Sequence, residues 1–185
     1  EKFTLVYMGK AGTWYLLDEM LDFFNVMSVC IPNSYFTFFT HDEPKPIYSA
    51  AANKGIDASK ITVRRIEMEE IPDFLREAKA GIFFINPYER YNSSPIKYGE
   101  YLASGLPVVI NSGIGDTDDI TERERVGVVI KNFSVREYEL AIEKFIGLLK
   151  EGEALQIRCV AAAQKHFSLN DGVNKYFNIY KKLCA

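Results

Sequence analysis

The sequence predicts an α/β protein: a doubly wound, Rossmann-like parallel sheet of six strands, with helices gathered at its C-terminal end. Three observations predict it. Short runs rich in β-branched and aromatic residues alternate with amphipathic segments from Phe3 to Lys131. The runs are apolar almost throughout, as strands covered on both faces are. After Lys131 only helical periodicity remains. Strands separated by whole helices belong in a parallel sheet, because parallel neighbours need a long crossover rather than a tight turn.

The elements follow in order. FTLVYMG (3–9) reads as the first strand and TWYLLDEMLDFFNVM (13–27) as the helix after it, with Trp14 and the aromatics of its second half expected in the core. YFTFFTH (35–41) and PKPIYSAAANKG (44–55) are the next pair, followed by KITVRRI (60–66) and EEIPDFLREAKA (69–80). GIFFINP (81–87) leads to SPIKYGEYLASG (94–105), and PVVIN (107–111) to DTDDITERE (116–124), before a last strand VGVVIK (126–131). Three helices close the chain, over 134–152, 153–167 and 169–185. Helix 94–105 has the clearest ends: Ser94 is expected to cap it, Pro95 to occupy its first position, and Gly105 then Pro107 to stop it.

Composition bounds the function. A chain of 185 residues, 48% hydrophobic and 25% charged, can bury the core of one domain or one large lobe. A net charge of -3 supplies no basic field, which argues against nucleic acid as a partner. No apolar run reaches the ~20 residues of a membrane span and no signal peptide opens the sequence, so a cytoplasmic location, at most against the inner membrane face, is expected. Cys30, Cys159 and Cys184 form no C-x-x-C pair and suggest neither a disulfide framework nor a zinc site. Residue 1 is Glu, and strand-like sequence begins at Phe3, so the chain reads as a single lobe, 1–185, cut from something longer.

Helix 94–105 also poses a chemical question. Ile96, Gly99, Leu102 and Ala103 are expected to face the sheet, leaving Lys97, Glu100 and Ser104 on another side. Lys97 and Glu100 can be an ordinary i,i+3 surface pair. Yet a cation in the first turn opposes the helix dipole, and a bound anion reverses that penalty. In a doubly wound sheet this helix start lies at the ligand-binding carboxyl edge, where free N–H groups attract phosphate. Gly9, Lys10, Gly12 and Thr13 in GKAGT form a second candidate phosphate cradle, or simply a turn, since the full G-x-G-x-x-G is absent. NSGIGD (111–116) is a third glycine loop expected at the same edge. Asp116, Asp118 and Asp119 read as helix caps rather than metal ligands. His41 and Asp42 end the second strand, where a nicotinamide-binding fold places its ribose acid, and His166 reads as lying on a surface helix face.

Residues 93–120, SSPIKYGEYLASGLPVVINSGIGDTDDI, resemble the C-terminal, donor-binding lobe of the group 1 glycosyltransferases, a retaining family with two facing Rossmann lobes. The resemblance implies that Glu100 binds the nucleotide ribose and that helix-start amides around Ser93, Ser94, Pro95, Ile96 and Lys97 hold the diphosphate. It puts the MGKAGT turn near the phosphates and sugar, and the backbone at Arg65 and Ile66 near the base. The family commonly places a second glutamate at what is here Asn92, so Glu89, Tyr91 and Asn92 become the candidates for donor-sugar contact. The basic residues of its first loop reduce here to Lys10, with Trp14 soon after.

These implications define an expected hexosyltransferase-like enzyme of polysaccharide biosynthesis. It moves a sugar from a nucleoside diphosphate to an acceptor, with Lys97 and Glu100 as the expected catalytic residues and neither metal nor organic cofactor. The lobe is expected to be inactive alone, to pair with an N-terminal acceptor lobe of the same chain, and to leave an apolar patch on its final helices where that lobe packs. The rival readings are an NAD(P)-dependent oxidoreductase domain and a non-catalytic nucleotide-sugar-binding module.

Overall fold

The structure is a computed structural model that describes residues 2–12, 14–86 and 93–184. Its centre is a six-stranded sheet in the order β3-β2-β1-β4-β5-β6, built from β1 (Phe3–Met8), β2 (Ser34–Phe39), β3 (Ile61–Arg64), β4 (Ala80–Phe83), β5 (Val108–Asn111) and β6 (Gly127–Ile130). Every pairing is parallel, from Phe36 opposite Ile61 at one edge to Val108 opposite Gly127 at the other. This is the doubly wound arrangement the sequence predicts. The strand order reverses between β1 and β4, which opens a crevice beyond their carboxyl ends.

The helices are α1 (Leu17–Cys30), α2 (Pro44–Asn53), α3 (Ile71–Glu77), α4 (Ile96–Ala103), α5 (Thr117–Glu124), α6 (Val135–Leu149), α7 (Glu153–Phe167) and α8 (Leu169–Leu183). Adjacent residues of β4 show how they divide. Phe84, just past the strand, meets Phe23 of α1 at 6.1 Å between ring centres, and Phe23 in turn meets Tyr138 of α6 at 5.6 Å. Phe83 points the other way and meets Tyr98 of α4 at 6.1 Å, which packs on Phe167 of α7 at 5.5 Å. Alternation along one strand thus assigns α1 and α6 to one face and α4 and α7 to the other. Each such buried aromatic contributes about 1.5–3 kcal/mol.

Three local expectations change. The first helix starts at Leu17 rather than 13, because the preceding backbone finds partners on the end of β4: Leu16 N–H donates to the Phe84 carbonyl at 3.0 Å and Tyr15 bridges Ile85. The cap of α4 is Pro95, with no side-chain cap from Ser94. The buried face of α4 is Lys97, Tyr98, Tyr101 and Leu102, while Ile96 is 80% exposed. Two tyrosines fill the space over the sheet better than Ile96 and Ala103, and so turn the helix by about one residue from the expected face.

The final helix α8 has no buried residue. Leu169, Val173, Tyr176, Phe177, Tyr180 and Leu183 expose an apolar stripe, the patch expected on the C-terminal helices. Among the described residues no helix is long and apolar enough to cross a membrane.

Candidate functional site

Beyond the sheet's carboxyl edge lies a cleft of about 780 Å³ between the turn after β1, the ends of β2 and β3, and the opening of α4. The turn after β1 is held from several sides. Gly9 N–H donates to the Phe39 carbonyl at 2.9 Å, continuing the ladder, and Ala11 N–H donates to Asp42 Oδ2 at 2.6 Å. The Tyr7 hydroxyl donates to the Lys10 carbonyl at 2.5 Å. Gly9 has φ 117°, and a Cβ there would lie 2.9 Å from Lys97 Nζ, so glycine meets both the backbone and the space requirement.

Helix α4 is fixed against this turn by Tyr101, whose hydroxyl accepts from the Met8 N–H at 2.8 Å. Tyr98 N–H donates back to the Pro95 carbonyl at 3.0 Å, which leaves the Ile96 and Lys97 N–H groups without an intrahelical acceptor, and both residues line the cleft. The approach to α4 is backed by the loop after β5. Gly115, at φ 54°, has no room for a Cβ beside the Ser93 carbonyl, and Gly113 N–H donates to Asp118 Oδ2 at 2.9 Å. The Asn111 side chain exchanges two hydrogen bonds with the Ile85 backbone, at 2.7 and 2.8 Å, and so extends the sheet past β4.

Lys97 is the unusual group. It is only 8% exposed, and its Nζ lies 3.7 Å from the centre of the Tyr15 ring and 4.3 Å from that of Tyr7, donating to the Tyr7 hydroxyl at 3.3 Å. Burial pulls the amine down to about 7, against the opposing pull of Glu100. Among the described residues no carboxylate lies within ion-pair distance of it. The surface ion pair with Glu100 is therefore absent, and the two residues instead face one cleft, with Glu100 exposed.

The cleft brings together Gly9, Lys10, Ile66, Ser93, Ser94, Pro95, Ile96, Lys97 and Glu100. Arg65 is exposed, and neither it nor Gly12 lines the cleft. Thr13, Glu89, Tyr91 and Asn92 lie outside the described residues. The third glycine loop supports Ser93 from behind rather than lining the cleft. Asp116 makes no side-chain cap hydrogen bond, and Asp118 reaches back to Gly113 instead of capping its own helix. Burial raises the Asp118 carboxyl. Among the described residues no three His, Cys, Asp or Glu side chains are grouped to hold a metal.

Sequence reasoning missed several lining residues. Trp14 is half-buried in the cleft wall, not in the core, and Tyr15, Phe39, Thr40 and Ile71 join it. The adjacent aromatics directly after a glycine turn were the available signal for the first two. His41 and Asp42 also line the cleft, but the Asp42 carboxylate is engaged by Ala11 N–H, so it braces the turn. His166 meets Glu124 Oε1 at 2.9 Å, away from the cleft.

As an arrangement, the cleft offers two lysines, a helix start and a glycine turn at one end, a carboxylate at its side, and an apolar wall of Phe39, Ile66 and Ile71. Cations and backbone donors suit phosphate oxygens, a carboxylate suits a diol, and an apolar wall suits a planar ring.

Comparison with known proteins agrees with the resemblance read from residues 93–120. Residues 78–145 match the family model for the glucosyltransferase 3-like C-terminal domain. No curated protein matches the chain in sequence. Among solved structures, the chain superposes on WaaG, a glycosyltransferase of lipopolysaccharide biosynthesis, with TM-score 0.70 and 15% identity over 90% of this chain and 44% of that one. It superposes on the catalytic domain of the Helicobacter pylori cholesterol-α-glucosyltransferase with TM-score 0.71 and 15% identity, covering 90% of this chain and 99% of that one. The pneumococcal O-GlcNAc transferase GtfA, solved with UDP and GlcNAc, gives TM-score 0.70 and 14% identity over 98% of this chain and 36% of that one. The fold is thus that of glycosyltransferase lobes, and the chain spans less than half the length of WaaG and GtfA.

Proposed function

We propose that this chain is the donor-binding lobe of a retaining, hexosyltransferase-like glycosyltransferase, and that the cleft holds a nucleoside diphosphate sugar. The observation that carries the reading is the meeting of Lys97, the first turn of α4, the Gly9–Lys10 turn and Glu100 around one cleft at the strand-order switch point. The match of residues 78–145 to a glucosyltransferase-like domain, which includes Lys97 and Glu100, supports it. So does the presence of UDP in the structure of GtfA.

In this reading the diphosphate lies against Lys97, Lys10 and the free amides of α4. The ribose diol donates to Glu100, and the base stacks along Ile66 and Ile71. As the glycosidic bond to the donor breaks, negative charge grows on the leaving diphosphate, and the ammonium and amides are already aimed at it, so little reorganisation is needed. No divalent ion is required for that role.

The acceptor is held by a second lobe of the longer protein, packed in part on the apolar stripe of α8. The reaction serves glycan synthesis on the cytoplasmic side of a membrane. Calorimetry with UDP, GDP, ADP and their hexose conjugates tests the donor claim: one nucleotide is expected to bind, and Glu100→Gln to weaken it about tenfold, as loss of a charge-assisted hydrogen bond does. Absence of binding by all of them contradicts the reading.

A further inference from the structure

We propose that Tyr15, together with Tyr7, is a positioning residue for the leaving diphosphate: the two rings hold the Lys97 amine at a place where, among the described residues, no carboxylate contacts it, so that the arriving phosphate supplies its counter-charge. The inference rests on the proposed donor site and adds a pair of residues that the site's sequence pattern, centred on residues 93–120, does not contain.

A buried ammonium is costly without compensation, and proteins generally supply an anion. A carboxylate in contact would satisfy Lys97, but it would also compete with a diphosphate for the same charge. Aromatic faces attract a cation through their quadrupole without neutralising it. Lys97 Nζ stands 3.7 Å from the Tyr15 ring centre and 4.3 Å from that of Tyr7, and the two rings meet edge to face at 5.8 Å. The Tyr7 hydroxyl takes one of its three protons, at 3.3 Å. On the side toward the exposed turn stands Gly9, which has no side chain to block the approach of an anion.

The cage is built, not incidental to loose packing. Tyr15 is fixed by its own backbone, which bridges both Gly12 and Ile85, and Tyr7 is a fully buried strand residue tied to the Lys10 carbonyl. Among the described residues, the other charged or titratable groups around the amine are Glu100 and Tyr101 on its own helix, Lys10 on the turn, and Asp42 behind Tyr7. Of these, Asp42 is engaged by Ala11 N–H and Tyr101 by Met8 N–H, and Glu100 opens on the cleft. Burial leaves the amine near neutral pH in the free protein, so an arriving phosphate draws a proton onto it.

Binding of whichever of UDP, GDP or ADP the wild type takes up most tightly is measured by calorimetry in Tyr15→Phe, which keeps the ring, and in Tyr15→Leu and Tyr15→Met, which lose it. Melting temperatures are recorded alongside. Tyr15→Phe is expected to bind within threefold of wild type, and the ringless variants at least tenfold more weakly. Equal affinity in all three variants overturns the cage while leaving the donor site standing. Failure of the wild type to bind any of the three nucleotides removes the donor site itself and the inference with it.

Discussion

The hydroxyl of Tyr101 accepts a hydrogen bond from the backbone N–H of Met8 at 2.8 Å, across 93 residues of sequence. Both groups are buried, and the bond joins the opening helix of the cleft to the strand that feeds its glycine turn. Tyr101→Phe leaves that N–H without a partner, which costs about 1–3 kcal/mol. A fall of that size in urea unfolding is expected, with weaker nucleotide binding because the two sides of the cleft lose their tie. Unchanged stability would mean that water or another acceptor replaces the hydroxyl.

Lys97 sets up an opposition between stability and binding. Its amine lies near 7 in the folded protein against an ordinary 10.5, so between those values the unfolded chain carries the extra proton. Stability from this group therefore rises with pH across that window, and its cost is fully present below pH 7. Lys97→Met removes the buried charge and is expected to stabilise the free protein by roughly 1–3 kcal/mol at pH 6. The gain should shrink toward pH 10, while nucleotide affinity falls at least tenfold. Denaturant melts of both proteins at pH 6 and pH 10 check the sign; a variant less stable than wild type at pH 6 contradicts it.

Gly115 tests the support behind the helix. Its φ of 54° and the Ser93 carbonyl against its Cα leave no place for a methyl group. Gly115→Ala is expected to cost at least about 1 kcal/mol from the backbone alone. It should also shift Ser93 and lower nucleotide affinity more than it lowers the melting temperature. Gly147→Ala, on an open face of α6, is the control and should be neutral or slightly stabilising.

Much of this was legible in the sequence because the signals were local. All six strands are short apolar runs with clear ends, and Gly105 and Pro107 mark the end of α4 as expected. What the sequence hid depends on distant neighbours. Lys97 reads as a surface cation until Tyr7 and Tyr15 arrive from the other end of the chain, and the face of α4 is decided by how Tyr98 and Tyr101 fit the sheet. Trp14 and Tyr15 read as helix because nothing nearby shows that their backbone will pair with Asn86 and Ile85. Asp42 reads as a ribose ligand until Ala11 is found to occupy its carboxylate.

Metal dependence separates this site from one that bridges phosphates through an ion. In the proposed reading lysines and helix amides meet the phosphates, and Asp118 is turned to Gly113. Nucleotide affinity is therefore expected to stay within twofold when EDTA replaces magnesium. Loss of binding on chelation, restored by magnesium, would make carboxylates at the site ligands after all.

The central claim is that one cleft, between the β1 turn and the start of α4, takes the donor. Amide NMR spectra recorded while the tightest of UDP, GDP and ADP is added test its location directly. The account predicts that the largest shifts fall at Gly9, Lys10, Ile66, Ile96, Lys97 and Glu100, with residues of α6 and β6 unmoved. Saturable shifts centred on Gly127, Lys131 and Lys144, with the β1 turn and α4 silent, would contradict it.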